Sequence, residues 1–359
     1  MKEQWMKTKY LRVNPDEPEG QIIAEAALIL RQGGLVAFPT ETVYGLGANA
    51  LLDKAVSRIF KAKGRPQDNP LIVHLAQKEA AYALAAEITE TAKQLMDAFW
   101  PGPLTIIVKH QGVVSSHVTA GLKTVALRMP KHPVALALIK AAGVPVAAPS
   151  ANQSGYPSPT SAVHVAADLD GRIDVILDGG TADVGLESTV VDATGTVPVI
   201  LRPGGITPEE VQGVVGTVCL DPALEHDGRF TGRPKSPGMK YRHYAPVASL
   251  VLVEGQGEQV IQRIKLLLQE QLDQGKLVGI VCAEEHRAFY PGAVLEEVGK
   301  QGDVQKLAAR LYDALRSLDR AGVDIILVEG VNPVGLGLAV ANRLHKAAAK
   351  IVNTNTDGE

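Results

Sequence analysis

The sequence predicts an α/β protein in two parts. The first, residues 1–218, is α+β-like: a twisted open sheet with flanking helices. The second, residues 249–359, is a smaller doubly wound α/β domain. Three observations lead there. The chain has 359 residues, more than one ordinary core accommodates. Short apolar runs of strand length alternate with longer stretches of helical period. Between the parts lies a Gly-, Pro- and cation-rich stretch, residues 219–248, with no periodicity of either kind.

In chain order, Ile22, Ile23, Ala26, Ala27 and Leu30 fall at helical spacing, and Gly33-Gly34 closes that helix where a left-handed residue is cheap. Residues 35–39 read as a buried strand running into the Thr40-Glu41-Thr42 turn. A helix over residues 53–63 turns Val56, Ile59 and Phe60 inward and its cations outward; Gly64 and Pro66 end it. Residues 71–76 make a strand containing His74, and residues 80–99 one or two alanine-rich helices, broken by Pro101-Gly102-Pro103. Strands at 104–109 and 124–129, a helix at 133–142 and a strand at 144–148 lead to the polar turn Pro149-Ser150-Ala151-Asn152. A helix at 161–169 and strands at 175–177, 189–192 and 199–202 follow. Thr207-Pro208-Glu209-Glu210 opens the last helix of the first part with a capping box. In the second part strands at 250–254, 277–282 and 324–329 alternate with helices at 259–274, 304–321 and 338–350.

Composition bounds the function. The net charge of −3 excludes a general nucleic-acid coat. The polar first twenty residues lack the apolar core of a signal peptide, and no apolar run approaches the ~18 residues of a membrane span, so a cytoplasmic protein with no membrane contact is expected. Cys219 and Cys282 are far apart and form no metal-ligand pattern, and no metal ligand is assigned.

Against that neutral background, residues 53–65 carry five cations (Lys54, Arg58, Lys61, Lys63, Arg65) and one anion, Asp53. Residues 227–242 repeat the imbalance, with Arg229, Arg233, Lys235, Lys240 and Arg242 against Asp227. The second stretch is a solvated tether or a lid over something negative. Arg128 and Arg202 each end an apolar run, where a buried guanidinium needs an anionic partner. With no surplus of acidic residues beside them in sequence, a ligand carboxylate or phosphate is expected to serve. Lys63 at a helix end, His74 in a strand and Ser150 and Asn152 in a turn all have ordinary structural readings. Together they form several strand-end sites offering cations and hydroxyls, without a nucleophile–base pair, which suits the positioning of several anions.

PTETVYGLG (39–47), KGRP (63–66), APSANQSG (148–155), STVVD (188–192), LRPG (201–204) and SPGMKYRHYAP (236–246) stand in order along the chain. Together they resemble the threonylcarbamoyl-AMP synthases, the YrdC-like family, in its long form with a Rossmann-like C-terminal domain. That resemblance implies a nucleotidyltransferase, with Mg²⁺ accompanying ATP. It would join L-threonine, bicarbonate and ATP into threonylcarbamoyl-AMP and pyrophosphate, the first step of threonylcarbamoyladenosine formation in tRNA. It also implies downstream proteins that transfer the group to tRNA, and a possible tRNA contact through the basic patch. Carried over motif by motif, Thr42, His74, Arg128, Ala148 and Ser188 should hold threonine. Arg65, Asn69, Thr124, Ser150, Asn152, Ser158, Arg202 and Tyr241 should hold ATP. Lys63 and Arg65 are the catalytic pair, and residues 219–248 a linker able to act as a lid. No base for the threonine ammonium is evident.

Two other readings compete. Carbamoyltransferases that mature hydrogenases share the module but add zinc-finger cysteines, which this chain lacks. A non-catalytic RNA-binding or ribosome-maturation factor would use the basic surface alone.

Overall fold

The computed structural model describes residues 7–224, 234–238, 240, 243–255 and 257–354. Tyr241, Arg229, Arg233 and Arg242 lie outside the described residues. The chain divides into two compact units, Met1–Ser154 with Ser158–Lys240, and Gly155–Pro157 with Tyr241–Glu359.

The first unit is built on one sheet. Its strands are β1 (Lys9–Arg12), β2 (Val36–Phe38), β3 (Gly45–Asn49), β4 (Ile72–His74), β5 (Ala85–Glu87) and β6 (Leu104–His110). They continue with β7 (Thr124–Arg128), β8 (Val146–Ala147), β9 (Val175–Asp178), β10 (Thr189–Asp192), β11 (Val199–Arg202) and β12 (Cys219–Leu220). The order is β1-β9-β2-β3-β8-β4-β7-β6-β10-β11-β12, with β5 against β6. Both faces are covered, and strand alternation distributes the side chains. Val36 and Phe38 face a core with Ile23, Ala26, Ala27 and Leu30 of helix Gly20–Arg31 and with helix Pro133–Ala142. Leu35 and Ala37 face the other core, with Leu46, Val56, Ile59 and Phe60.

Helix Asp53–Lys63 ends on Gly64, whose φ of 62° is left-handed as the sequence requires. Helix Pro208–Val215 starts with the expected capping box, Thr207 and Glu210 satisfying each other's backbone N–H groups. Other elements differ from expectation. Residues 45–49, GLGAN, form a central strand although two of five residues are glycine. A Cβ at Gly47 would come within 2.8 Å of Phe38 and 2.9 Å of Val146, so close packing excludes the branched residues that usually mark a strand. The alanine-rich stretch after residue 78 is a 3₁₀ turn, strand β5 and helix Glu90–Phe99 rather than helix throughout.

The second unit is a parallel sheet of β13 (Ser249–Glu254), β14 (Val278–Cys282), β15 (Val294–Glu297), β16 (Ile325–Glu329) and β17 (Lys350–Asn353). Its order is β15-β14-β16-β13-β17, with helices Glu258–Asp273, Val304–Arg320 and Leu336–Ala347. This is the doubly wound arrangement expected, with β15 and β17 added to the strands legible in sequence.

Candidate active site

Two parallel strands set the layout. In β4 and β7, Ile72 pairs with Ala126 and His74 with Arg128. His74 and Arg128 therefore share the C-terminal end of the pair. Asn69 and Thr124 sit at or before its N-terminal end. Four residues of strand separate Thr124 from Arg128, roughly 13 Å. Strand β8 runs antiparallel to β4, Val146 opposite His74. Its continuation carries Ala148, whose N–H donates to Ile72 O at 2.9 Å, and then Ser150, bridged to Gly45, away from His74. His74 and Arg128 thus lie at one end of the strand pair, whereas Ala148, also assigned to threonine, lies opposite Ile72 toward the other end, with Asn69, Thr124 and Ser150.

At the threonine-assigned end the structure corrects one expectation. Arg128 has an acidic neighbour after all: Glu41 Oε1 lies 2.8 Å from its Nη2, and both side chains are more than nine-tenths buried. The contact is an ion pair without an aligned hydrogen bond, for neither Glu41 oxygen nor Arg128 Nη2 has a hydrogen-bond partner. Arg128 Nε donates weakly to Gly102 O at 3.4 Å. Glu41 is hard to find from sequence because its partner is 87 positions away. It sits in a turn locked by its neighbours: the Thr40 and Thr42 hydroxyls are hydrogen-bonded at 2.8 Å, and Thr40 Oγ1 donates to Val43 O at 2.7 Å.

The His74 ring packs edge-on against Phe38. Burial, and secondarily the Arg128 charge, push its pKa down to about 3, so the imidazole is neutral. Its Nδ1 is buried without a hydrogen-bond partner.

Lys63, the last residue of its helix, is 3% exposed. Its ammonium donates to the carbonyls of Ser150 and Asn152, each at 2.5 Å, and contacts Asn152 Oδ1 at 3.4 Å. Ser150 Oγ donates to the same amide oxygen at 2.5 Å. Two motifs far apart in sequence are therefore one cluster, the lysine holding the turn. Arg65 is buried and donates to Asn69 O and Pro70 O at 3.3 and 3.0 Å. It thereby fixes the loop that presents Asn69.

Ser188 and Arg202 meet at the edge of β10 and β11. Arg202 Nη2 donates to Ser188 O at 2.9 Å and to Ser188 Oγ at 3.1 Å, and Ser188 Oγ shares a hydrogen bond with Thr105 at 2.8 Å. A Cβ at Gly204 would lie 2.3 Å from both Glu187 O and Thr189 N, so only glycine lets this turn close on β10. Ser158 donates to the buried Glu187 at 2.5 Å. Arg202 Nη1 also reaches Pro237 O at 3.4 Å, and Lys240 pairs with Asp68 at 2.8 Å, next to Asn69. The described part of the basic stretch therefore lies against residues flanking the nucleotide-assigned set.

Among the described residues no group of three or more His, Cys, Asp or Glu side chains could hold a metal ion. Nor is any described helix long and apolar enough to cross a membrane.

An open α/β sheet whose strand ends gather buried arginines, a buried lysine and hydroxyls defines a protein built to collect small anionic molecules. Comparison with known proteins makes this specific. The family described as "Telomere recombination" matches residues 28–204, and the "Threonylcarbamoyl-AMP synthase, C-terminal domain" matches residues 206–349. The chain is 52% identical to the threonylcarbamoyl-AMP synthase of Pyrococcus abyssi, over 90% of this chain and 93% of that one. It is 51% identical to that of Bacillus subtilis, over 91% and 92% of the two chains. The structure of Pyrococcus abyssi Sua5 complexed with L-threonine superposes with a TM-score of 0.91 at 49% identity, covering 96% of this chain and 99% of that one. The chain belongs to the threonylcarbamoyl-AMP synthase family, a family of enzymes.

Proposed function

We propose that this chain is a nucleotidyltransferase that joins L-threonine, bicarbonate and ATP into threonylcarbamoyl-AMP, releasing pyrophosphate. The observation that carries the reading is the confinement of four buried cations, Lys63, Arg65, Arg128 and Arg202, to strand and helix ends of one unit. It is supported by the family's signature turns at the same places. Every substrate carries a negatively charged group, and alignment with charge neutralisation is the main work of such a site.

In this reading Arg128 takes the threonine carboxylate, with Thr42, Ala148 and Ser188 around the amino acid and neutral His74 as a wall. Asn69, Thr124, Ser150 and Ser158 hold the nucleotide, with Arg65 beneath them and Tyr241 an expected further contact. Arg202, bonded to Ser188, stands between the two sets, where a carbamate oxygen would attack the α-phosphate. Lys63 keeps the Ser150–Asn152 turn in place and can exchange a carbonyl for a phosphate oxygen. Mg²⁺ would enter as Mg·ATP, a substrate whose phosphate oxygens and water hold the ion. The 219–248 stretch acts as a lid that keeps water from the mixed anhydride. The product passes to proteins that modify tRNA in the cytoplasm.

The test is pyrophosphate release on mixing the protein with Mg·ATP, bicarbonate and L-threonine. Release is expected to depend on all three and to be weaker with L-serine. Salt-sensitive RNA binding with no such release would favour the non-catalytic alternative.

A further inference from the structure

The proposed reaction needs a seat for the threonine ammonium and a way to deprotonate it, because an ammonium has no lone pair with which to attack bicarbonate. We propose that Glu41 is both. The inference rests on the reading of the site as a threonine site. Three observations carry it.

First, Glu41 is 6% exposed, and both of its carboxylate oxygens lack a hydrogen-bond partner. Buried carboxylates in folded proteins are normally hydrogen-bonded, so one whose two oxygens make no aligned hydrogen bond, with only an ion-pair contact on one of them, marks a place kept for a donor. The adjacent residue, Thr42, is wholly buried and already linked to Thr40. The turn's own hydroxyls are therefore spoken for, and the carboxylate is what remains.

Second, Glu41 Oε1 is 2.8 Å from Arg128 Nη2. An α-amino acid carries its two charged groups on one carbon, the nitrogen and the carboxylate carbon being roughly 2.5 Å apart. A site that reads a zwitterion therefore needs its anion and its cation side by side. Arg128 and Glu41 have that spacing, and their misaligned contact leaves donor and acceptor capacity for the two ends of the ligand.

Third, the alternatives nearby are unsuited. His74 is charge-silent at neutral pH and shares its strand end with Arg128, which repels a cation. Glu187 is already the acceptor for Ser158.

The proton accounting closes. Glu41 carboxylate takes one proton from the threonine ammonium, giving the neutral amine. The amine lone pair forms the N–C bond to the bicarbonate carbon, and hydroxide leaves. The proton on Glu41 neutralises that hydroxide to water, while the nitrogen loses a second proton to solvent. The sum is ammonium plus bicarbonate giving carbamate, water and one proton. Glu41 ends as it began.

The test is calorimetric binding by the full chain of L-threonine and of 2,3-dihydroxybutyrate, in which a hydroxyl replaces the ammonium. The variants are Glu41→Gln and Glu41→Asp. Glu41→Gln should weaken threonine binding by about 10- to 100-fold while changing dihydroxybutyrate binding little. Glu41→Asp, which keeps the charge, should be intermediate. Equal loss of both ligands would mean that Glu41 only props Arg128, and wild-type affinity for threonine would mean that it does nothing; either overturns the inference. A wild-type protein indifferent to L-threonine instead overturns the functional reading beneath it.

Discussion

Each unit places a carboxylate at the carboxyl end of a strand or in the turn beyond one, buried in the first unit and part-buried in the second, and the two are treated oppositely. In the second unit Glu329, at the end of β16, accepts from Tyr290 Oη at 2.7 Å, from His286 Nδ1 at 2.9 Å and from Ala283 N at 3.3 Å. It lines a cavity of about 550 Å³ with Cys282 and Val328, yet is satisfied without a ligand. Burial and the Glu329 charge raise the Tyr290 phenol far above its ordinary range, and burial pushes the Cys282 thiol up to about 12, so both stay protonated. In the first unit Glu41 has a charge beside it and no hydrogen bond. The lesson is that a closed hydrogen-bond account marks a carboxylate that holds structure, whereas an open one marks a carboxylate that awaits a partner.

Breaking the pair at residues 41 and 128 should give the largest effect. Arg128→Gln leaves a buried carboxylate uncompensated and should cost about 3–5 kcal/mol of unfolding free energy in urea, while the double variant with Glu41→Gln should recover most of it. Additive losses would mean that the two charges are independent. Next comes Arg202→Ala, expected to slow pyrophosphate release by about 100- to 1000-fold through loss of a positioned donor, with far-ultraviolet circular dichroism unchanged.

Histidine 74 gives a smaller, pH-dependent effect. Its folded pKa is about 3, below the unfolded value of 6.5, so the unfolded chain binds the proton first and stability falls as pH drops from 6.5 toward 3. At pH 5 the loss should be about 2 kcal/mol, and His74→Gln should flatten the urea midpoint across that window. The smallest effect belongs to the satisfied carboxylate. Glu329→Gln keeps most partners and should cost about 1 kcal/mol, with pyrophosphate release unchanged. A turnover defect there would erase the contrast between the units.

Much of this was legible in sequence, for local reasons. Gly64 and the capping box at Thr207 act through neighbours a few residues away, and the apolar spacing of helix Gly20–Arg31 declares its buried face. Lys63, Arg128 and Arg202 stood out as cations where apolar elements end. What sequence hid is long-range. Strand β3 is invisible because its glycines are required by Phe38 and Val146 across the sheet. Glu41 looked like part of a turn because only folding brings Arg128 to it. That Lys63 and Asn152 form one cluster likewise follows from the pairing of β3 and β8, not from either motif.

The parallel register of β4 and β7 has a practical consequence for inhibitor design. With Asn69 and Thr124 toward one end and His74 and Arg128 at the other, the span between the proposed nucleotide-side and amino-acid-side anchors is set by strand rise, roughly 13 Å. A rigid bisubstrate mimic is therefore tuned by one variable, the length of a stiff spacer. Affinity should peak where that spacer matches the strand and fall off on both sides, as a key cut too short or too long fails in the same lock.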